Sequence, residues 1–261
     1  MRDIDVISTT AVTTDTATIE SFAPSRHAAS PGIALRWVRT RPAPVRVLLG
    51  IECAVLFGAL PLAYATWGVG RVPLMPALWA AALYCSIVLY RDAGFDRSEL
   101  SLARLTSIPW TRMLALFAIS AACLTAAVAW FTPANLFDLP RQETGLWLAI
   151  LITYPLLSVI PQELVWRTFF MHRYRDLLPS PNLRIAASAA AFGFGHIVFL
   201  HWIPVVLTAF AGAIFARTYL RDRSLWSVSA EHALYGCLMF TIGLGGYFSI
   251  SQVAGTPSLL P

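Results

Sequence analysis

Between residues 46 and 247 the sequence runs apolar seven times, at 46–68, 73–90, 112–131, 145–171, 184–200, 203–220 and 225–247. A helix needs about 20 mostly apolar residues to cross a bilayer. In hydrocarbon, only helices and closed barrels satisfy every backbone N–H and C=O. The pattern predicts an all-α, polytopic membrane helix bundle of about seven transmembrane helices. Composition agrees, with 57% of the 261 residues hydrophobic and only 13% charged, against about 25% charged in soluble domains. A soluble enzyme, a disordered chain and a disulfide-stapled secreted domain are excluded. Between the second and third stretches, Leu100, Leu102, Leu105, Ile108 and Trp110 suit a short interfacial helix. Residues 1–42, rich in Ser, Thr and Ala, read as a disordered cytoplasmic tail. A transmembrane domain follows over 43–248, then a short C-terminal tail, 249–261.

The net charge of +5 is carried by arginine alone, since the chain has no lysine. Arg36, Arg39, Arg41 and Arg46 precede the first stretch, and only Arg71 follows it. Arg91, Arg97, Arg104 and Arg112 flank the next connection, and only Arg141 the one after. Arg173, Arg175 and Arg184 come next, then a loop without arginine, then Arg217, Arg221 and Arg223. This alternation predicts a cytoplasmic N-terminus and an external C-terminus. The basic charge therefore faces membrane lipids, and no nucleic-acid partner is expected. The alanine-rich, lysine-free composition points to a bacterial inner membrane. Cys53, Cys85, Cys123 and Cys237 all fall in apolar stretches, with no pairing or metal-site spacing.

Charged groups inside spans are costly and mark cavities or partners. Here they are Glu52, the pair Glu163 and Arg167, His196, and the adjacent Glu231 and His232. Glu163 and Arg167 stand four apart, on one helix face in the favourable order for an ion pair. Pro161 removes a helical hydrogen bond and frees the Leu157 carbonyl, and Pro155 adds a second break. Counted from the arginine-bearing ends at about 1.5 Å per residue, Glu163 lies roughly 13 Å deep, His232 roughly 10 Å and His196 roughly 18 Å. The three are expected around one pocket open to the cytoplasm. Glu52 is expected to partner a cavity-facing polar group such as a histidine. His172 and His201 read as headgroup-level residues. A carboxylate and two imidazoles can activate water as acid and base. With a water, they also suit a catalytic zinc. A structural ion pair and a haem held by His196 and His232 are the other readings of these residue types.

The segment Pro161-Gln162-Glu163-Leu164-Val165-Trp166-Arg167 resembles the E-E-x-x-x-R motif of the CAAX protease and bacteriocin-processing (CPBP) family of intramembrane endopeptidases. Phe192-Gly193-Phe194-Gly195-His196 matches its F-x-x-x-H motif, and His232-Ala233-Leu234-Tyr235-Gly236 resembles its H-x-x-x-N motif. The resemblance spans about 145–245. It implies hydrolysis of a peptide bond near the cytoplasmic face, in a peptide or membrane-protein substrate, by a Glu/His-activated water. In the family the first Glu and the second-motif His activate the water, and the third-motif His and Asn steady the oxyanion. Gln162 stands where the first Glu would be, and Gly236 where the Asn would be. Neither side chain can do that work.

The resemblance therefore assigns Glu163 as base, His196 as the group orienting or activating water, and His232 as oxyanion stabiliser. Arg167 would hold Glu163 or the substrate carboxyl group, and Phe192 supports the motif. Glu231 is the alternative base. The chemistry proceeds either with a divalent metal such as zinc, on Glu163, His196 and His232, or with none. The alternative function is an inactive family member serving as a membrane scaffold or immunity-type binding protein.

Overall fold

The computed structural model describes residues 42–249. The two expected tails, apart from their innermost residues, and Arg36, Arg39 and Arg41 lie outside the described residues. Every regular element among those described is helical. Six helices are long and apolar enough to span a membrane: α1 (Ala43–Gly68), α2 (Leu74–Arg91), α3 (Trp110–Phe131), α4 (Thr144–Arg173), α5 (Pro181–Phe199) and α6 (Trp202–Asp222). A seventh helix, α7 (Leu225–Thr241), has 17 residues and carries Glu231 and His232. The fold is thus the expected all-α polytopic bundle, with six clear spans and α7 shorter than the rest. In place of one interfacial helix there are two short tight helices, Arg97–Leu100 and Leu102–Ser107. Leu102 and Leu105 point outward from them, and Ile108 is buried.

The exposure pattern suits a bilayer. Leu48, Ile51, Leu83, Ile119, Phe131, Ile152 and Phe210 all face outward from their helices. In water such a surface would drive aggregation, whereas against lipid tails it costs nothing. Trp67, Trp130 and Trp202 are exposed near helix ends, as in an aromatic belt.

Hydrogen bonds gather the arginine-rich ends at one end of the bundle. Arg173 donates to both carboxylate oxygens of Glu52, at 2.9 and 2.7 Å, and the Tyr174 hydroxyl adds a third bond at 3.2 Å. Arg104 donates to the Asp222 carbonyl and Arg112 to its carboxylate, each at 3.2 Å. The Trp226 indole reaches the Leu100 carbonyl at 3.1 Å. Glu99, 1% exposed, takes both the Tyr219 hydroxyl and Arg223. Burial pushes its carboxyl up, against the pull of those two partners.

Glu52, expected to partner a histidine, pairs with Arg173 and Tyr174 instead, because α4 brings its arginine end across α1. His172 is buried, 2.9 Å from Asp92 and next to Arg173 at the arginine-rich end. Both were single charges in sequence, and only helix packing supplies their partners.

The break in α4 follows from its prolines. The helix widens into π-type turns at Pro155–Val159 and Leu164–Phe169. The carbonyl of Leu157, freed by Pro161, accepts the Trp79 indole N–H of α2 at 2.9 Å. A buried orphan acceptor would cost about 1–3 kcal/mol, so Trp79 makes the break tolerable.

Small residues set how closely α5 and α6 approach. A Cβ on Gly193 would stand 2.7 Å from the Ala209 Cβ and 2.8 Å from the Val205 carbonyl oxygen. Overpacking of this kind costs about 1–3 kcal/mol. Gly193→Ala is therefore expected to lower the unfolding midpoint in detergent. An unchanged midpoint would mean that the two helices can part without loss.

Candidate active site

Gln162 and Glu163 sit in the short α-helical turn Ile160–Glu163 between the two π-type turns of α4. Gln162 and Glu163 are adjacent, so they leave α4 in different directions. Gln162 lines a cavity of about 870 Å³ in the middle of the bundle, and its amide donates to the Ser158 hydroxyl at 2.7 Å. Glu163 turns away from the cavity and is 0% exposed. Its Oε1 lies 2.7 Å from His232 Nδ1, and its Oε2 lies 3.3 Å from Arg167 Nε. A carboxylate only accepts, so Nδ1 carries the proton of that bond. The other nitrogen of His232 is then directed at the cavity.

Arg167 is also fully buried. Its guanidinium lies over the Phe192 ring at 4.2 Å and near that of Phe215 at 5.5 Å. Beyond the Glu163 ion pair its nitrogens have no hydrogen-bond partner, so two aromatic faces replace water around the charge. Phe192 joins the parts of the site. Its ring centroid is 4.7 Å from that of His196 and 5.5 Å from that of His232, both edge to face. Phe215 stacks on His232 at 4.8 Å.

His196 ends the regular part of α5, where the last turn tightens over His196–Phe199. Its Nδ1 lies 2.8 Å from the Phe192 carbonyl. A carbonyl fixes the proton on Nδ1, which leaves the Nε2 lone pair for the cavity. His196 and His232 line the same cavity, and Glu163 reaches it only through His232. Glu231, the alternative base, is buried and not among the lining residues. Its Oε2 has no hydrogen-bond partner.

The remaining lining shows where the cavity lies. It runs from mid-helix residues (Gln162, Phe215, His232) to Leu74, Met75, Phe199 and Phe248 at the arginine-poor end. Among the described residues no arginine lines it. Towards the arginine-rich end it is closed by Glu163, Arg167, Phe169 and Met171, all fully buried. The sequence led us to expect a pocket open to the arginine-bearing side, whereas the lining extends the other way. The reason is chain direction: His232 and His196 were placed by depth alone, and the helical turns around them were invisible.

Tyr154 was missed. It lines the cavity, and its hydroxyl lies 3.0 Å from His232 Nε2. The one sequence signal was a phenol beside a proline in an otherwise apolar stretch.

With this geometry in hand, the sequence can be compared with known families. Residues 144–238, from the start of α4 to most of α7, match the family model described as Type II CAAX prenyl endopeptidase Rce1-like. The α4–α7 region is similar to that family. The match covers all three motifs, and bears out the CPBP resemblance they carry. No curated protein and no solved structure matches the chain. The Rce1-like region contributes most of the cavity wall, with α2 and α3 adding Leu74, Met75, Ser120, Cys123 and Leu124.

Among the described residues no three His, Cys, Asp or Glu side chains converge. Glu163 spends one oxygen on His232 and faces a guanidinium with the other, and a guanidinium repels a cation.

Proposed function

We propose that the protein is a membrane-embedded endopeptidase acting on a peptide or membrane-protein segment, through a water activated by histidine. The observation that carries this is the 2.7 Å contact between Glu163 and His232, in a cavity that also receives His196. His196 Nε2 accepts a proton as the water oxygen bonds to the scissile carbonyl carbon. The oxyanion that forms lies towards His232, whose ring Glu163 holds through Nδ1 at 2.7 Å. As the C–N bond breaks, His196 returns the proton to the leaving amine. Glu163 thus works through His232 and not on the water. Arg167 faces the other oxygen of Glu163 at 3.3 Å and sets a positive charge beside it.

The second reading rests on Gln162. Among the described residues no carboxylate lines the cavity, and Gln162, in the place of the first motif carboxylate, is an amide bonded to Ser158. A scaffold or immunity-type binding protein is consistent with that. One assay separates the two readings: cleavage of a pooled peptide library by the purified protein in liposomes, beside Glu163→Gln and Gln162→Glu. The protease reading expects cleavage by the wild type and a drop of about 10²-fold or more with Glu163→Gln. No wild-type cleavage, with activity appearing in Gln162→Glu, would establish a binding protein on a protease scaffold.

The side of action follows from the arginines. With the arginine-rich end in the cytoplasm of a bacterial inner membrane, the cavity faces the opposite leaflet, and so does the bond to be cut. Cys123 lines the cavity and is exposed. A membrane-impermeant thiol reagent is expected to modify it from the external side of intact cells. Modification only after permeabilisation would reverse this assignment and return cleavage to the cytoplasmic face.

A further inference from the structure

Gly236 is buried at the cavity wall, one helical turn after His232 on α7. A Cβ built there would overlap the ring and hydroxyl of Tyr154. No side chain larger than hydrogen fits at 236 while Tyr154 is in place. The space beside His232 is thus filled from α4, and filled by a group with a hydroxyl. That hydroxyl lies 3.0 Å from His232 Nε2, and the tyrosine lines the same cavity as His196. The ring is held edge to face by Phe240, at 5.3 Å between centroids, and by His232, at 6.1 Å.

Three groups therefore form a chain from buried protein to cavity: Glu163, His232 and Tyr154, with links of 2.7 and 3.0 Å. Its proton arrangement has two forms. With His232 neutral, Nδ1–H donates to Glu163 and the tyrosine O–H donates to Nε2. With His232 doubly protonated, Nε2–H donates to the Tyr154 oxygen, and the phenol hydrogen turns towards the cavity. In both forms Glu163 accepts from Nδ1 at 2.7 Å and sets a carboxylate behind the ring. In the second form the phenol is a hydrogen-bond donor polarised by a cation behind it.

We propose that Tyr154 is a catalytic residue whose hydroxyl donates to the oxyanion, at the place where Gly236 leaves no side chain. No bond is made or broken at the phenol oxygen. The hydrogen bond strengthens as negative charge grows on the carbonyl oxygen, which stabilises the transition state over the bound substrate. Tyr154 and Gly236 act as one unit, since the glycine makes room for the ring that carries the donor. This inference rests on the endopeptidase reading.

The test is a cycle of Tyr154→Phe, Tyr154→Ala, Gly236→Asn and the double variant Tyr154→Ala/Gly236→Asn, assayed for peptide cleavage in liposomes. Tyr154→Phe keeps the ring and removes only the hydroxyl, so it is expected to fold as the wild type does. Its kcat is expected to fall by about 10²–10³ with KM within a few-fold. Gly236→Asn alone is expected to unfold at a lower temperature, because the new side chain meets the ring. The double variant has room for the amide and is expected to recover at least tenfold over Tyr154→Ala. Such recovery is an interaction that a merely structural tyrosine would not show.

Wild-type cleavage that survives Tyr154→Phe with unchanged kcat overturns this proposal and leaves the endopeptidase reading standing. The full assay also includes Gln162→Glu with and without Tyr154→Phe. If neither the wild type nor Gln162→Glu cleaves, the endopeptidase reading falls and takes the Tyr154 proposal with it. If only Gln162→Glu cleaves, the wild type is a binding protein, and the Tyr154 proposal falls with the endopeptidase reading.

Discussion

Arg167→Met is expected to destabilise the protein by about 3–5 kcal/mol. Arg167 and Glu163 are both fully buried and lie 3.3 Å apart. Removing the guanidinium leaves the carboxylate of Glu163 without its cation in an apolar bundle. Glu231 is also buried with an unpaired oxygen, so a second carboxylate loses the nearby positive charge. Methionine fills much of the arginine volume, so lost packing between Phe192 and Phe215 is a small part of the effect. Unfolding by denaturant titration in mixed micelles measures the loss.

The double variant Glu163→Gln/Arg167→Met separates charge from packing. With both charges gone, most of the lost stability is expected to return, because replacing a buried pair by neutral groups is often near neutral. Cleavage is expected to stay absent, since an amide does not stabilise the imidazolium of His232. A single Arg167→Met variant within 1 kcal/mol of wild type would show that Glu163 is neutral in the resting protein. That result would also remove the reason for placing charge behind His232.

The architecture could be read from the sequence because lipid imposes a simple rule. Apolar length gave the spans, and arginine alternation agrees with the end at which the Arg104, Arg112 and Arg173 networks gather. The carbonyl freed by Pro161 was also legible, since a proline always orphans the carbonyl four residues back. Its acceptance of Trp79 was not, because a lone tryptophan names no partner. The motifs located Glu163, His196 and His232 but not their orientation. Gln162 and Glu163 differ by one position, and only the packing of α4 against its neighbours shows which of them meets the cavity. Sequence periodicity assumes 3.6 residues per turn throughout, so a helix that widens twice defeats it. Tyr154 was hidden for a further reason. It lies 82 residues before Gly236, and only the missing Cβ at one and the ring at the other show that they share a space.

His196→Ala is expected to lower kcat by about 10²–10⁴ while changing stability little. The side chain is half-buried and makes one hydrogen bond to protein, from Nδ1 to the Phe192 carbonyl. That bond fixes the tautomer and aims Nε2 at the cavity, so the ring is positioned for proton transfer and contributes little to the fold. His196→Gln retains a polar group of similar reach but no basic nitrogen, and is expected to be as inactive as the alanine variant. Gln162→Glu supplies the discriminating arm. It places a carboxylate on the cavity wall beside Ser158, where a second base can reach the same water. In the wild-type background it is expected to raise kcat about tenfold if proton abstraction limits the rate. In the His196→Ala background it is expected to restore part of the lost activity, because one base replaces another. Full wild-type activity in His196→Ala would remove the histidine from the water and leave the His232–Glu163 pair as the base of the site.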